Sequence, residues 1–218
     1  MIKSLLKLKL PLSEKLFCLM RYLSAPFNEV EKMVPKKGQI LDVGCGHGLF
    51  ALILEKNSKQ RIILGIDPDP KKINQANKIA NTYKNLTFKK IHLGQLNCSK
   101  KFDCLILFDV DYLLDLNEKD KILKQAKKAI TDNGSIIVKT VIKNKSLGYY
   151  LAYLQELIVV FLLKKTFTKN NFFNFLEIEE YRQIFRKNNF LIKEEKDLKT
   201  FFYHPHYVFL LKVNKNEN

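Results

Sequence analysis

The chain has 218 residues, of which 46% are hydrophobic and 28% charged, enough for one ordinary α/β domain with a sizeable core. No run approaches the roughly 20 uninterrupted apolar residues of a membrane-spanning helix, which argues against a span. A net charge of +16 would attract polyanions, but it rests almost wholly on lysine: Arg21, Arg61, Arg182 and Arg186 are the only arginines. A lysine-only excess fits a solvated surface better than a phosphate- or base-reading face.

The N-terminal stretch "MIKSLLKLKLPLSEKLF" interleaves leucine and lysine, with no continuous apolar core and no small-residue cleavage site, so no secretion signal is read there. Residues 1–35 are expected to form a helical segment. The four cysteines, Cys18, Cys45, Cys98 and Cys104, form no C-x-x-C pair and no zinc pattern with the histidines. Reduced thiols in a cytoplasmic protein, with no metal, are the expectation.

From residue 39 the chain alternates compact apolar runs with helical patterns. The runs at 39–45, 61–67, 86–93, 102–110 and 134–142 are β-rich and bounded by Gly, Asp, Asn or Pro. Between them, Ile73, Ala76, Ile79, Ala80 and Ile122, Leu123, Ala126, Ile130 keep helical spacing. This order predicts a Rossmann-like, doubly wound α/β fold with a parallel sheet covered on both faces. The rhythm then changes. Residues 146–165 carry Leu147, Tyr150, Leu151, Leu154, Leu157, Ile158, Phe161 and Leu162 on one helix face, followed by the basic, aromatic "TFTKNNFFNF". A helical cap over 146–180 is expected, then a helix, closing strands at 190–198 and 206–214, and a polar tail at 215–218.

The stretch "ILDVGCGHGLF" places Gly44, Gly46 and Gly48 between a strand and a helix, where backbone can approach a ligand and helix N–H groups are free. The spacing is G-x-G-x-G, not the G-x-G-x-x-G of pyrophosphate loops, and Asp42 beside it would repel a pyrophosphate but suit a cationic ligand. Asp67 ends the second strand, where such folds place the acid that bonds ribose hydroxyls; the alternative is that it caps the next helix. A nucleoside with a cationic non-phosphate half is S-adenosylmethionine.

With "LGIDPDPKKINQANKIA", "FDCLILFDVDYLL" and "AKKAITDNGSIIVKT" following in order, residues 38–142 resemble the class I S-adenosylmethionine-dependent methyltransferase family. The resemblance implies a seven-stranded sheet of order 3-2-1-4-5-7-6 with strand 7 antiparallel, over a domain at 36–214. It implies that Asp42, Gly44 and Gly46, with Gly48 completing the loop, surround the methionine part of the cofactor. Asp67 would hold the ribose and Pro68 lie against adenine, and Phe108 and Asp109 would line the methyl side. The family's adenine-binding aspartate is missing from "IHLGQLNC", so His92 or Gln95 must replace it.

No acceptor signature is present. The turn "KTFFYHP" between the closing strands belongs to the ligand-binding rim, which makes Tyr203, His204 and His206 candidates for proton transfer, with Tyr112 after strand 4 as another. The apolar cap and the lysines suggest a small hydrophobic or lipid-like acceptor, with peripheral contact to the inner membrane face. The rival readings are an RNA methyltransferase and a non-catalytic S-adenosylmethionine-binding module.

Overall fold

The computed structural model describes residues 12–96, 101–158, 173–198 and 204–215. Two helices, α1 (Leu12–Ser24) and α2 (Phe27–Met33), precede the sheet. Five strands and three helices follow: β1 (Gly38–Val43), α3 (Leu49–Asn57), β2 (Arg61–Asp67), α4 (Pro70–Ala80), β3 (Leu86–Lys90), β4 (Phe102–Phe108), α5 (Leu116–Ala129) and β5 (Ile130–Val141). The cap helix α6 (Leu147–Leu157), then α7 (Ile178–Lys187), β6 (Phe190–Leu198) and β7 (His206–Val213) complete the described chain.

The seven strands form one sheet of order β3-β2-β1-β4-β5-β7-β6. β1 to β5 pair in parallel, and β7 runs antiparallel to both β5 and β6. The fold is therefore a Rossmann-like α/β sheet with the strand order and antiparallel β7 that the resemblance implies. Strands β1, β4 and β5 are buried along most of their length because helices cover both faces. One core side gathers Ile40, Ile53, Ile63 and Ile106 with Val30 of α2; the other gathers Leu41, Leu105, Leu123 and Ile136 with Phe185 of α7.

Two strand ends depart most from the pattern. β3 stops at Lys90, and Leu93–Gln95 form a single 3-10 turn where apolar periodicity had suggested strand. β5 begins at Ile130, directly after α5, because Ile130 pairs with Phe102 across a register shift. That irregular start brings Gly134 against backbone, where a Cβ would lie 2.9 Å from the Thr131 carbonyl and 3.0 Å from that of Phe102.

Caps fix the helix starts nearest the site. Asp69 accepts from the Lys71 and Lys72 N–H groups and starts α4, and the Ser146 hydroxyl accepts from Tyr149 N–H and starts α6. At the opposite end of the sheet, Arg61 is wholly buried and donates to Glu31 and to the Val34, Pro35 and Leu54 carbonyls, which ties α2 to the start of β2. The cap residues expected at 159–172, and Tyr203, lie outside the described residues.

Candidate active site

The glycine loop hangs from β2: Gly44 and Cys45 both donate to the Ile66 carbonyl, at 2.8 and 3.1 Å. Gly44 has φ +72°, and a Cβ there would sit 2.4 Å from Val110 Cγ2. Gly46 differs. At φ +55° a Cβ would meet nothing within 4 Å, because the residue faces an open cleft. Gly48 precedes α3 and lies over the Phe88 ring.

Two carboxylates stand at the head of this loop. Asp67 accepts from Gly46 N–H at 3.0 Å through one oxygen and from Asp69 N–H at 2.8 Å through the other. It therefore braces the loop, while Asp69 does the helix capping. Asp42 is buried, and its Oδ2 has no hydrogen-bond partner. Burial, and then the nearby Asp67, push the Asp42 carboxyl up to about 7. An orphaned buried carboxylate oxygen is costly, and a cationic ligand would offset that cost.

Asp42, Gly44, Gly46, Asp67, Pro68, Phe108 and Asp109 all line one cavity of about 160 Å³. A second cavity of about 170 Å³ shares Gly44, Pro68, Val110 and Leu113 with the first and adds His92. Together they form a bent cleft along the carboxyl ends of β1, β2 and β4. Its far wall is aromatic: Phe27 stacks on Phe108 at 4.7 Å and on Phe50 at 5.6 Å, and Phe50 lies 4.9 Å from Phe108.

Other expected site residues fall elsewhere. Gln95 does not line the cleft; its side chain turns back to accept from His92 N–H at 3.4 Å, so of the two candidates it is His92 that faces the second cavity. His206 is buried behind α1, with Nε2 3.0 Å from the Ser24 carbonyl. A carbonyl only accepts, so Nε2 carries the proton, and burial, with Lys139 adding to it, lowers this ring to about 2. His204 packs 5.5 Å from it, also buried and lowered by burial. Tyr112 is buried against Phe173 and Phe175, with its phenol pushed up by burial and by Glu156. None of the three lines the cleft.

Asp109 reaches the cleft as an ion pair and not as an open acid. Lys139 Nζ donates to both its oxygens at 2.6 and 2.7 Å, and Arg21 donates to Oδ2 at 2.8 Å. Burial works against its charge, but Lys139 and Arg21 hold the carboxyl below the usual range. Its backbone is left-handed, φ +55°, which aspartate tolerates better than most residues. Arg21 also reaches Glu156 of α6 at 3.4 Å, so α1 and the cap helix meet at the cleft. Arg21, Phe27, His47 and Phe50 line the cleft without having been singled out in the sequence. One signal was available: Arg21 is one of four arginines in a lysine-rich chain.

A family model described as a methyltransferase domain matches residues 35–200. The chain belongs to this methyltransferase-domain family. A curated relative, the putative methyltransferase 235L of Invertebrate iridescent virus 6, is 28% identical over 88 residues, covering 40% of this chain and 32% of its own. Magnesium protoporphyrin IX methyltransferase from Synechocystis PCC 6803, with bound SAH, superposes with a TM-score of 0.65 at 20% identity, covering 86% of this chain and 82% of that one. The mitomycin 7-O-methyltransferase MmcR gives 0.69 at 11% identity over 86% of this chain and 52% of its own. NcsB1, an O-methyltransferase of neocarzinostatin biosynthesis in complex with S-adenosylmethionine and 2-hydroxy-5-methyl naphthoic acid, gives 0.69 at 12% identity, over 93% and 57%. This methyltransferase-domain chain thus spans about a third of its viral relative and about half of MmcR. The matched segment begins just before β1, so α1, which supplies Arg21, and the whole of α2 lie ahead of it.

Proposed function

We propose that this chain transfers a methyl group from S-adenosylmethionine to a small apolar acceptor. The observation that carries the cofactor assignment is the Asp42 carboxylate, buried at the head of the glycine loop with an orphaned oxygen and a second acid beside it. Two acids in place of a phosphate cradle fit a ligand bearing ammonium and sulfonium charge. Bound there, S-adenosylmethionine supplies an electrophilic methyl group whose leaving sulfur departs neutral.

On this reading Asp42 faces the cationic end and Gly46 leaves room for it. Asp67 exchanges its bond to the loop N–H for the ribose hydroxyls, and Pro68 and His92 border the adenine. Phe27, Phe50 and Phe108 wall the remaining space, so the acceptor is held by ring contact and water is kept from the reacting atoms. Methyl displacement from a sulfonium is mostly a matter of alignment, and a rigid aromatic wall provides it. Where the acceptor must lose a proton, His47 is the histidine among the described residues of the first cavity. MmcR and NcsB1, named for small-molecule O-methylation, support an acceptor of that size.

Calorimetry tests the cofactor half: S-adenosylmethionine should bind, and Asp67→Ala should weaken it at least tenfold while the circular dichroism spectrum is unchanged. Equal affinity in the variant would remove Asp67 from the site, and no binding by the wild type would sink the assignment. Labelled-cofactor incubation with lipid and metabolite extracts tests the acceptor half. Label appearing only in RNA would replace the small-molecule reading.

A further inference from the structure

Helix α6 is amphipathic in the wrong sense for a solvated helix. Its sequence, LGYYLAYLQEL, contains one charged residue, Glu156, and that residue is buried against Arg21. Three of its four leucines and Tyr150 point outward. Leu147 is 75% exposed, Leu154 53%, and Tyr150, Leu151 and, just past the helix end, Ile158 are also exposed. The spacing i, i+3, i+4, i+7, i+11 puts all five on one side. Met20 and Leu23 of α1, the helix that Arg21 ties to α6, are exposed as well. Single exposed leucines need no explanation, but a continuous stripe on a helix whose only charge faces inward does.

We propose that this outward face of α6 docks on an anionic lipid bilayer, lying in the interface and not crossing it. Charge complementarity selects the lipid. Exposed Lys143 and Lys145 lead into the helix, the whole chain carries +16, and Tyr150 within the stripe is a residue suited to the headgroup level. A second copy of the chain is a poorer occupant. An 11-residue helix is only about 16 Å long, so the stripe falls well short of the ~800 Å² per partner of a stable interface. Two lysine-bordered copies would also repel. The inward side of α6 packs Tyr149, Ala152 and Tyr153 into a cluster with Tyr112, Phe175 and the cleft-lining Leu113. Docking would therefore set the cleft close behind the bilayer surface, within reach of a lipid-soluble acceptor. The inference does not depend on the methyl-transfer reading, since lipid binding is measured without cofactor.

The test is co-sedimentation of the full chain with phosphatidylglycerol/phosphatidylcholine vesicles and with phosphatidylcholine vesicles alone. The wild type should pellet with the anionic vesicles and lose that binding as salt is raised. Leu151→Ser/Leu154→Ser should weaken it roughly tenfold or more, since two apolar side chains leave the interface. Lys143→Gln/Lys145→Gln should weaken it severalfold. Both variants alter exposed side chains, and both should retain wild-type S-adenosylmethionine affinity. Three results overturn the proposal: no wild-type binding to anionic vesicles, undiminished binding by the double-serine variant, or a wild-type dimer that this variant converts to monomer.

Discussion

Lys139 grips Asp109 through both carboxylate oxygens, at 2.6 and 2.7 Å, from inside the sheet. Both side chains are essentially excluded from solvent. Lys139 Nζ also lies 5.0 Å from the centroid of the Phe108 ring, so one ammonium orders two consecutive cleft residues. At the end of β4, then, Asp109 is a fixed half of an ion pair that presents Arg21 to the cleft.

Removing one partner of this pair should be expensive. Burial lowers Lys139 to about 8, opposed chiefly by Asp109, so the lysine is still charged at neutral pH and its loss leaves the buried carboxylate with one of its two cations, Arg21. Lys139→Met should cost about 3–5 kcal/mol in urea unfolding, and Asp109→Asn/Lys139→Met should recover much of that. A double variant no more stable than the single one would show that the pair is not coupled.

Asp42 predicts an unusual pH dependence. Its folded value, about 7, lies above the ordinary carboxylate value, so the ligand-free folded chain holds a proton that the unfolded chain releases. Stability from this group therefore falls as pH rises from about 4 to 7 and is level above that. Asp42→Asn should be more stable than wild type at pH 7.5 by a few kcal/mol and no different below pH 4. The same variant should bind S-adenosylmethionine at least tenfold more weakly. Wild-type affinity should rise between pH 5 and 7, as the ligand's charge drives the proton off.

His206 acts with the opposite sign. Its folded value near 2 lies below the ordinary imidazole value, so its contribution is present above about pH 6.5 and is lost as pH falls below it. Between pH 4 and 6.5 the Asp42 and His206 slopes oppose each other in the wild type. His206→Gln, which keeps a donor for the Ser24 carbonyl, should unmask the rising stability toward acid that Asp42 provides. Turnover should change less than twofold, because this ring does not line the cleft. A large fall in turnover with intact cofactor binding would instead restore it as the base.

Much of this was legible in sequence because it is written in local pattern. The bounds of β2 match its apolar run, and those of β6 the expected closing strand, to the residue. The glycine loop announces itself because its spacing and Asp42 are only a few residues apart. What could not be read are contacts between distant elements. Phe27, Phe50 and Phe108 form one wall from three segments, and Arg21 meets Asp109 across 88 residues of chain. Lys139 did leave a trace, a lone lysine inside the apolar run "GSIIVKTVI", but a trace without its partner. The histidines of the last turn were misleading for the reverse reason. The topology brings His204 and His206 to the correct rim, and α1, which no strand pattern reports, then covers His206.

The two glycines at the cleft should separate fold from binding. At Gly44 an added methyl would strike Val110 at 2.4 Å in a left-handed backbone, so Gly44→Ala carries both a clash and a φ penalty. It should destabilise by more than about 2 kcal/mol, and Val110→Ala in the same chain should return part of that. At Gly46 the backbone is also left-handed, but the methyl meets nothing and projects toward the cleft. Gly46→Ala should therefore cost only about 1–2 kcal/mol of stability while weakening S-adenosylmethionine binding tenfold or more. Thermal unfolding and calorimetry on the two variants decide the point. Unimpaired binding by Gly46→Ala would mean that the cofactor does not pass over this loop.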